Sequence, residues 1–71
     1  MGNADKKARA MKECAEWNTA HPIGTRVIVQ NGMRSFVSKT TAAATSFNAG
    51  EAVVWVEGLT YSVLLSKVRA A

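Results

Sequence analysis

The sequence has very few of the residues on which most catalytic and metal sites depend. Its 71 residues include one cysteine, Cys14, and one histidine, His21. A metal site needs three or four ligands, so this pair predicts no metal centre within one chain. One cysteine also excludes an intrachain disulfide, and we therefore expect a reducing, cytoplasmic location.

Cys14 and His21 are also badly spaced for nucleophilic catalysis. Seven residues on a helix correspond to two turns, or about 10.5 Å of rise, which is too far for a hydrogen bond between a thiolate and an imidazole. The glycines stand singly at turn positions, so the chain has no glycine-rich phosphate loop. We predict no catalytic residue and no cofactor, and we expect a protein that is not an enzyme.

Long apolar runs are missing, and many of the apolar residues are small. Alanine accounts for 12 of the 34 apolar residues. No run approaches the roughly 18 apolar residues that a membrane span needs, so we expect no membrane partner. The chain predicts a single domain, residues 1–71, and a chain of this length buries only about 60% of its unfolded surface. Because a single chain can bury so little apolar surface, we expect it to bury more by self-association into a homo-oligomer.

A helical pattern covers residues 3–21 of the chain. Apolar residues recur there at spacings of four, three and four, which predicts an N-terminal amphipathic helix. Its apolar face is predicted to consist of Ala10, Cys14, Trp17 and His21, widened by Met11 and Ala15. Pro22 ends the helix, because the residue before a proline is driven out of the α region.

From Gly24 onward, short β-type runs alternate with turn residues. The runs predict strands over 26–30, 33–39, 53–56 and 61–65, followed by a tight turn at 65–68 and a short closing strand. Asn31-Gly32 is the strongest hairpin signal, since both residues tolerate the positive φ of a two-residue turn. In the first strand, Val27 and Val29 share one face and Ile28 takes the other.

Residues 40–50 leave two interpretations open. The alanines favour a single helical turn that Gly50 closes, whereas the threonines favour a continuation of the second strand. We prefer a turn or loop over the whole segment.

The segment 52–56 is apolar on both faces of a predicted strand. Such a strand is typical of a position covered on two sides. Here these are the interior of the small β-barrel that the order of strands predicts, and either the helix or a second subunit. The residues predicted to form that interface are Trp17, Val54 and Val56. A protein partner or a second copy of the chain would bind there.

The chain is basic, with a net charge of +4 and a pI of about 9.7. This charge is compatible with nucleic acid, although it also lies within the range of ordinary solubilising charge. Exposed aromatic side chains could stack on bases in a small nucleic-acid-binding domain, unless they fill the core. The aromatic residues with this choice are Phe36, Phe47, Trp55 and Tyr61. The candidate contacts with nucleic acid or another partner lie near predicted strand ends: Arg26, Arg34, Phe36, Lys39, Lys67 and Arg69.

Four segments carry a resemblance to known proteins. They are Trp17-Asn18, His21-Pro22-x-Gly24-Thr25-x-Val27, Val53-Val54-Trp55-Val56-Glu57-Gly58 and Leu64-Leu65-Ser66-x-Val68-Arg69. Over roughly residues 17–70 the chain resembles SH3-like barrels, and more closely the small uncharacterised proteins of bacterial prophages and other mobile elements. The resemblance implies a mostly β, α+β fold, with an SH3-like barrel of four to five antiparallel strands over 24–70 beside the helix. It implies no activity.

Three functions are weighed from these features. The first is a small binding module of a bacterial mobile element that acts through protein–protein interaction or self-assembly. The alternative is a nucleic-acid-binding SH3-like barrel that uses the basic strand-end residues. A remote alternative is a plasmid-borne class of dihydrofolate reductase, which is also a short SH3-like barrel. The signature of that reductase class is Val-Gln-Ile-Tyr. The corresponding segment of this chain, Tyr61-Ser62-Val63-Leu64, has no glutamine.

Overall fold

A computed structural model describes residues 3–47 and 50–71, and these residues form an α+β fold in which strands predominate. The described part contains one helix and two antiparallel sheets of three strands each, in the orders β2-β1-β6 and β3-β4-β5. The elements are α1 Asn3–Ala20, β1 Arg26–Asn31, β2 Arg34–Lys39, β3 Thr45–Phe47, β4 Glu51–Val54, β5 Val63–Leu64, a 3-10 helix Leu65–Lys67, and β6 Val68–Ala70.

Helix α1 ends one residue earlier than the sequence predicts. The His21 backbone N–H still donates to the Trp17 carbonyl at 2.7 Å, but His21 itself is a bend, as expected before a proline. Ala10 and Cys14 are buried as predicted, whereas Met11 is 55% exposed. The prediction that Met11 widens the apolar face is therefore wrong. Ala15 is exposed as well. The helix packs across β3 and β4, and that contact covers only a narrow stripe of its surface.

Strand β1 is the centre of the first sheet. Val27 and Val29 point into the core and Ile28 lies on the opposite face, as predicted. The hairpin to β2 is displaced by one residue from the prediction. Asn31 pairs with Arg34, so Gly32 and Met33 make the turn. Gly32 has φ +67°, and a glycine at the first turn position supplies the positive φ that the hairpin requires.

The second sheet contains a strand in a segment that is predicted to be a loop. Thr45–Phe47 forms β3 and pairs with Glu51–Val54, so a turn or loop over the whole of 40–50 is wrong. The hydroxyl-bearing and aromatic residues of β3 are compatible with a strand, and pairing with β4 is what makes the segment one. The predicted strand over 61–65 is also shorter, since only Val63–Leu64 is paired.

An isolated bridge between Thr40 and Val56 joins the two sheets, and their inner faces share one core. Val54 and Val56 are 0% and 1% exposed within the single chain. The prediction that these two side chains face another subunit is therefore wrong, because the chain itself covers them. Trp17 is half-buried and packs against the same core.

The C-terminal segment behaves as predicted. Leu65–Lys67 turns as a 3-10 helix into β6, which pairs antiparallel with β1. The two sheets remain separate ladders rather than one closed barrel. Within the described residues, no helix is long and apolar enough to cross a membrane.

Candidate functional site

Charge is distributed unevenly between the helix and the sheets. Residues 3–20 hold four cations and three carboxylates, for a net charge of +1, and residues 21–71 hold five cations and two carboxylates, for +3. All five cations of the second group lie on the sheet β2-β1-β6 or on the 3-10 helix that leads into it. They are Arg26, Arg34, Lys39, Lys67 and Arg69. The first sheet is therefore the electropositive side of the molecule.

Strand register places Arg69 on the outer face of the first sheet. Because Val27 and Val29 face the core, Ile28 and Gln30 lie on the outer face of β1. Arg69 is directly opposite Ile28 on one side, and Ser35 is opposite Gln30 on the other. The outer face thus carries polar and cationic side chains around a small apolar centre.

A groove of about 250 Å³ crosses this face, and Arg34, Lys67 and Arg69 all line it. Its other lining residues include Ile28, Gln30, Ser35 and Ser66, and none of the described residues that line it is a carboxylate. We call it the basic groove. Three cations in one lining create a positive potential, and the serine and glutamine side chains add hydrogen-bond donors. The groove is suited to an anion that presents several oxygen atoms.

The other two predicted cations, Arg26 and Lys39, lie opposite each other at a different end of the same sheet. They line a separate concavity of about 270 Å³ together with Glu57. Lys39 Nζ is 3.5 Å from Glu57 Oε2, and both side chains are more than half exposed. This carboxylate lowers the positive potential at that end, so the basic groove is the stronger anion site of the two.

Phe36, which is predicted to contact a ligand together with the cations, is not among the residues that line the basic groove. It is opposite the inward-facing Val29, is half-buried and packs against the core, so its contact with a ligand stays a prediction that these positions do not test. Trp55 is also only partly exposed. The aromatic side chains with substantial exposed surface are Phe47, at 52%, and Tyr61, at 56%.

A second cavity of about 250 Å³ adjoins the basic groove. It is lined by Tyr61, Ser62, Val63 and Leu64 on one side and by the β1 end of the hairpin on the other. Gln30 and Lys67 line both cavities. The sequence names Tyr61 among several aromatics but gives no signal that places it beside Lys67, because that proximity depends on how the two sheets pack.

Cys14 and His21 do not share a site with these residues. Burial raises the pKa of the Cys14 thiol, the Glu13 carboxylate adds to that rise, and a hydrogen bond from the Val53 backbone opposes it. His21 packs on Trp17, with ring centroids 4.2 Å apart and an interplanar angle of 49°. In the described part of the chain, no three His, Cys, Asp or Glu side chains are grouped as metal ligands would be.

Comparison of this chain with protein-family models, with curated proteins and with solved structures finds no match.

Proposed function

We propose that this protein is a non-enzymatic binding module that holds the sugar–phosphate backbone of nucleic acid in its basic groove. The observation that carries the proposal is the convergence of Arg34, Lys67 and Arg69 on one groove in which none of the described lining residues is a carboxylate. Phosphate contacts by lysine and arginine supply most of the affinity of sequence-independent nucleic-acid binding. The planar guanidinium of arginine also binds two phosphate oxygens at once.

Protein–protein interaction or self-assembly, the first function that the sequence suggests, is less well supported. Of its three predicted interface residues, Val54 and Val56 are covered by the chain's own core and Trp17 is half-buried against it. The exposed large apolar residues are spread over the helix, both sheets and the turns that connect them. Scattered apolar residues are normal on a monomer and do not indicate a docking surface.

We further propose that the fold is an SH3-like barrel. A hairpin, a 3-10 helix immediately before the last strand, and pairing of that strand with the first one support this proposal. An origin in a bacterial mobile element also remains a proposal, and it rests on the sequence resemblance alone. The proposed fold and the proposed origin are both compatible with a small protein that binds a partner and does not catalyse a reaction.

The test compares two double charge reversals of equal net charge by fluorescence anisotropy with labelled DNA and RNA. Arg34→Glu with Arg69→Glu reverses two groove cations, whereas Lys7→Glu with Lys12→Glu reverses two exposed cations on the helix. We expect the groove variant to lose at least tenfold in affinity and the helix variant much less. Binding of the wild type should weaken steeply with salt, with a slope of about −0.7 to −0.9 for each phosphate contact.

Two results would contradict the proposal. One is an absence of binding by the wild type at low salt. The other is an equal loss in both double variants, which would mean that net charge rather than the groove governs binding.

A further inference from the structure

The basic groove shares two lining residues with the cavity beside Tyr61, which we call the Tyr61 pocket. These residues are Gln30 and Lys67, so the two cavities lie side by side. Their linings differ in kind. The groove has three cations, whereas the pocket has an exposed aromatic ring and the apolar side chains of Val63 and Leu64.

This juxtaposition matches the two parts of a nucleotide. A phosphate requires cations, and an unpaired base offers a flat apolar face with polar edges. Stacking of a base on an aromatic side chain is a major source of affinity for single strands, and it is sequence-tolerant because every base has a π face. The polar side chains of Gln30, Asn31 and Ser62 lie in the same pocket, where they can reach the edges of a base.

A duplex would gain nothing from such a pocket, because its bases are already stacked and paired. Tyr61 lies outside the paired residues of β5 and is 56% exposed, so the core does not account for its position. A single strand can place one base on the ring while the adjacent phosphates occupy the groove.

We infer that the ligand is single-stranded nucleic acid, bound with an unpaired base against Tyr61 and the neighbouring phosphates at Arg34, Lys67 and Arg69. This inference rests on the proposed function and specifies its substrate class. It assigns Tyr61 the role of a stacking platform and Lys67 that of the contact between the two cavities.

The experiment measures the affinity of three labelled probes that carry the same number of phosphates: oligothymidylate, an abasic single strand and a duplex. The wild type, Tyr61→Ala and Tyr61→Phe are compared. We expect the wild type to bind oligothymidylate about fivefold or more tightly than the abasic strand, given the usual value of one stacked base. Tyr61→Ala should remove that difference and leave abasic binding unchanged, and Tyr61→Phe should retain it, because the ring remains.

The outcomes separate this inference from the proposed function. Equal affinity of the wild type for oligothymidylate and the abasic strand, or a preference for the duplex, would overturn the single-strand inference and leave the basic groove in place. A Tyr61→Ala variant that still prefers oligothymidylate would overturn the role of Tyr61. Failure of every probe to bind the wild type would overturn both proposals.

Discussion

The side chain of Asn18 and the backbone of Ala44 exchange two hydrogen bonds across 26 residues of sequence. The Asn18 amide donates to the Ala44 carbonyl at 3.0 Å, and the Ala44 N–H donates to Asn18 Oδ1 at 2.8 Å. Ala44 is buried just before β3, in a segment that belongs to no strand. Asn18 therefore satisfies backbone groups that burial would otherwise leave without partners, and it ties the end of α1 to the second sheet.

Replacing Asn18 with alanine should lower the free energy of unfolding by about 1–3 kcal/mol, because the variant leaves a buried N–H and C=O without partners. Asn18→Asp should be at least as harmful, because a carboxylate oxygen replaces the donating amide and faces the Ala44 carbonyl, where two acceptors repel each other. Urea unfolding measures both changes.

Thr19→Ala is a suitable control for these variants. The Thr19 hydroxyl is exposed and donates only to the Ala15 carbonyl within the helix. Its removal should change stability by less than about 0.5 kcal/mol. If Thr19→Ala loses as much stability as Asn18→Ala, then Asn18→Ala acts by disturbing the helix end and not by removing the bonds to Ala44.

Gly50, just before β4, lies close to Lys6 of α1. It has φ +110°, and a Cβ atom added there would lie 2.6 Å from the Cβ of Lys6. Gly58 has a similar φ of +96° but open space around it. Gly50→Ala should therefore cost more than Gly58→Ala, which suffers backbone strain alone and loses roughly 1 kcal/mol. Equal losses in thermal or urea unfolding would show that α1 moves away without penalty.

Much of this fold is predictable from local pattern. The helix, its end before Pro22, the faces of Val27 and Ile28, and the turn into β6 all depend on periodicity or on turn residues near in sequence. The local sequence fits a two-residue turn that begins at Asn31 or at Gly32, because both residues tolerate the turn conformation. Asn31 pairs with Arg34, so the turn begins at Gly32, one residue later than predicted. Short-range signals do not fix that register.

The remaining errors come from contacts between distant residues. Strand β3 forms because β4 pairs with it, and nothing within residues 45–47 requires a strand. Three of the six predicted contact residues line the basic groove, and Arg34 and Lys67 share it only because β6 returns to pair with β1. The apolar pattern of 52–56 predicts that Val54 and Val56 are covered, but it does not reveal that the chain's own core covers them.

Cys14 should make stability fall at high pH. Burial and the nearby Glu13 carboxylate raise its pKa above the ordinary value of 9.0, so the folded state holds the proton more tightly than the unfolded state. The contribution is complete below pH 9, and it is lost as pH rises from 9 through the raised pKa of the folded protein. The difference in unfolding free energy between wild type and Cys14→Ala should be constant near neutral pH and should shrink or reverse above pH 9. A difference that stays constant to pH 11 would show that the thiol titrates equally in both states.

Glu57 is predicted to restrain anion binding at the far end of the basic sheet. Its pair with Lys39 is exposed on both sides, so Glu57→Gln should change the free energy of unfolding by less than about 0.5 kcal/mol. The substitution frees Lys39 beside Arg26 and removes the carboxylate from their concavity. A strand that follows the sheet beyond the basic groove then gains a phosphate contact. We expect a several-fold higher affinity for oligothymidylate, and a salt slope steeper by about 0.7. Glu16→Gln on the exposed side of α1 makes the same change in net charge away from the sheet. If both variants raise affinity equally, the gain comes from net charge, and Lys39 makes no contact of its own.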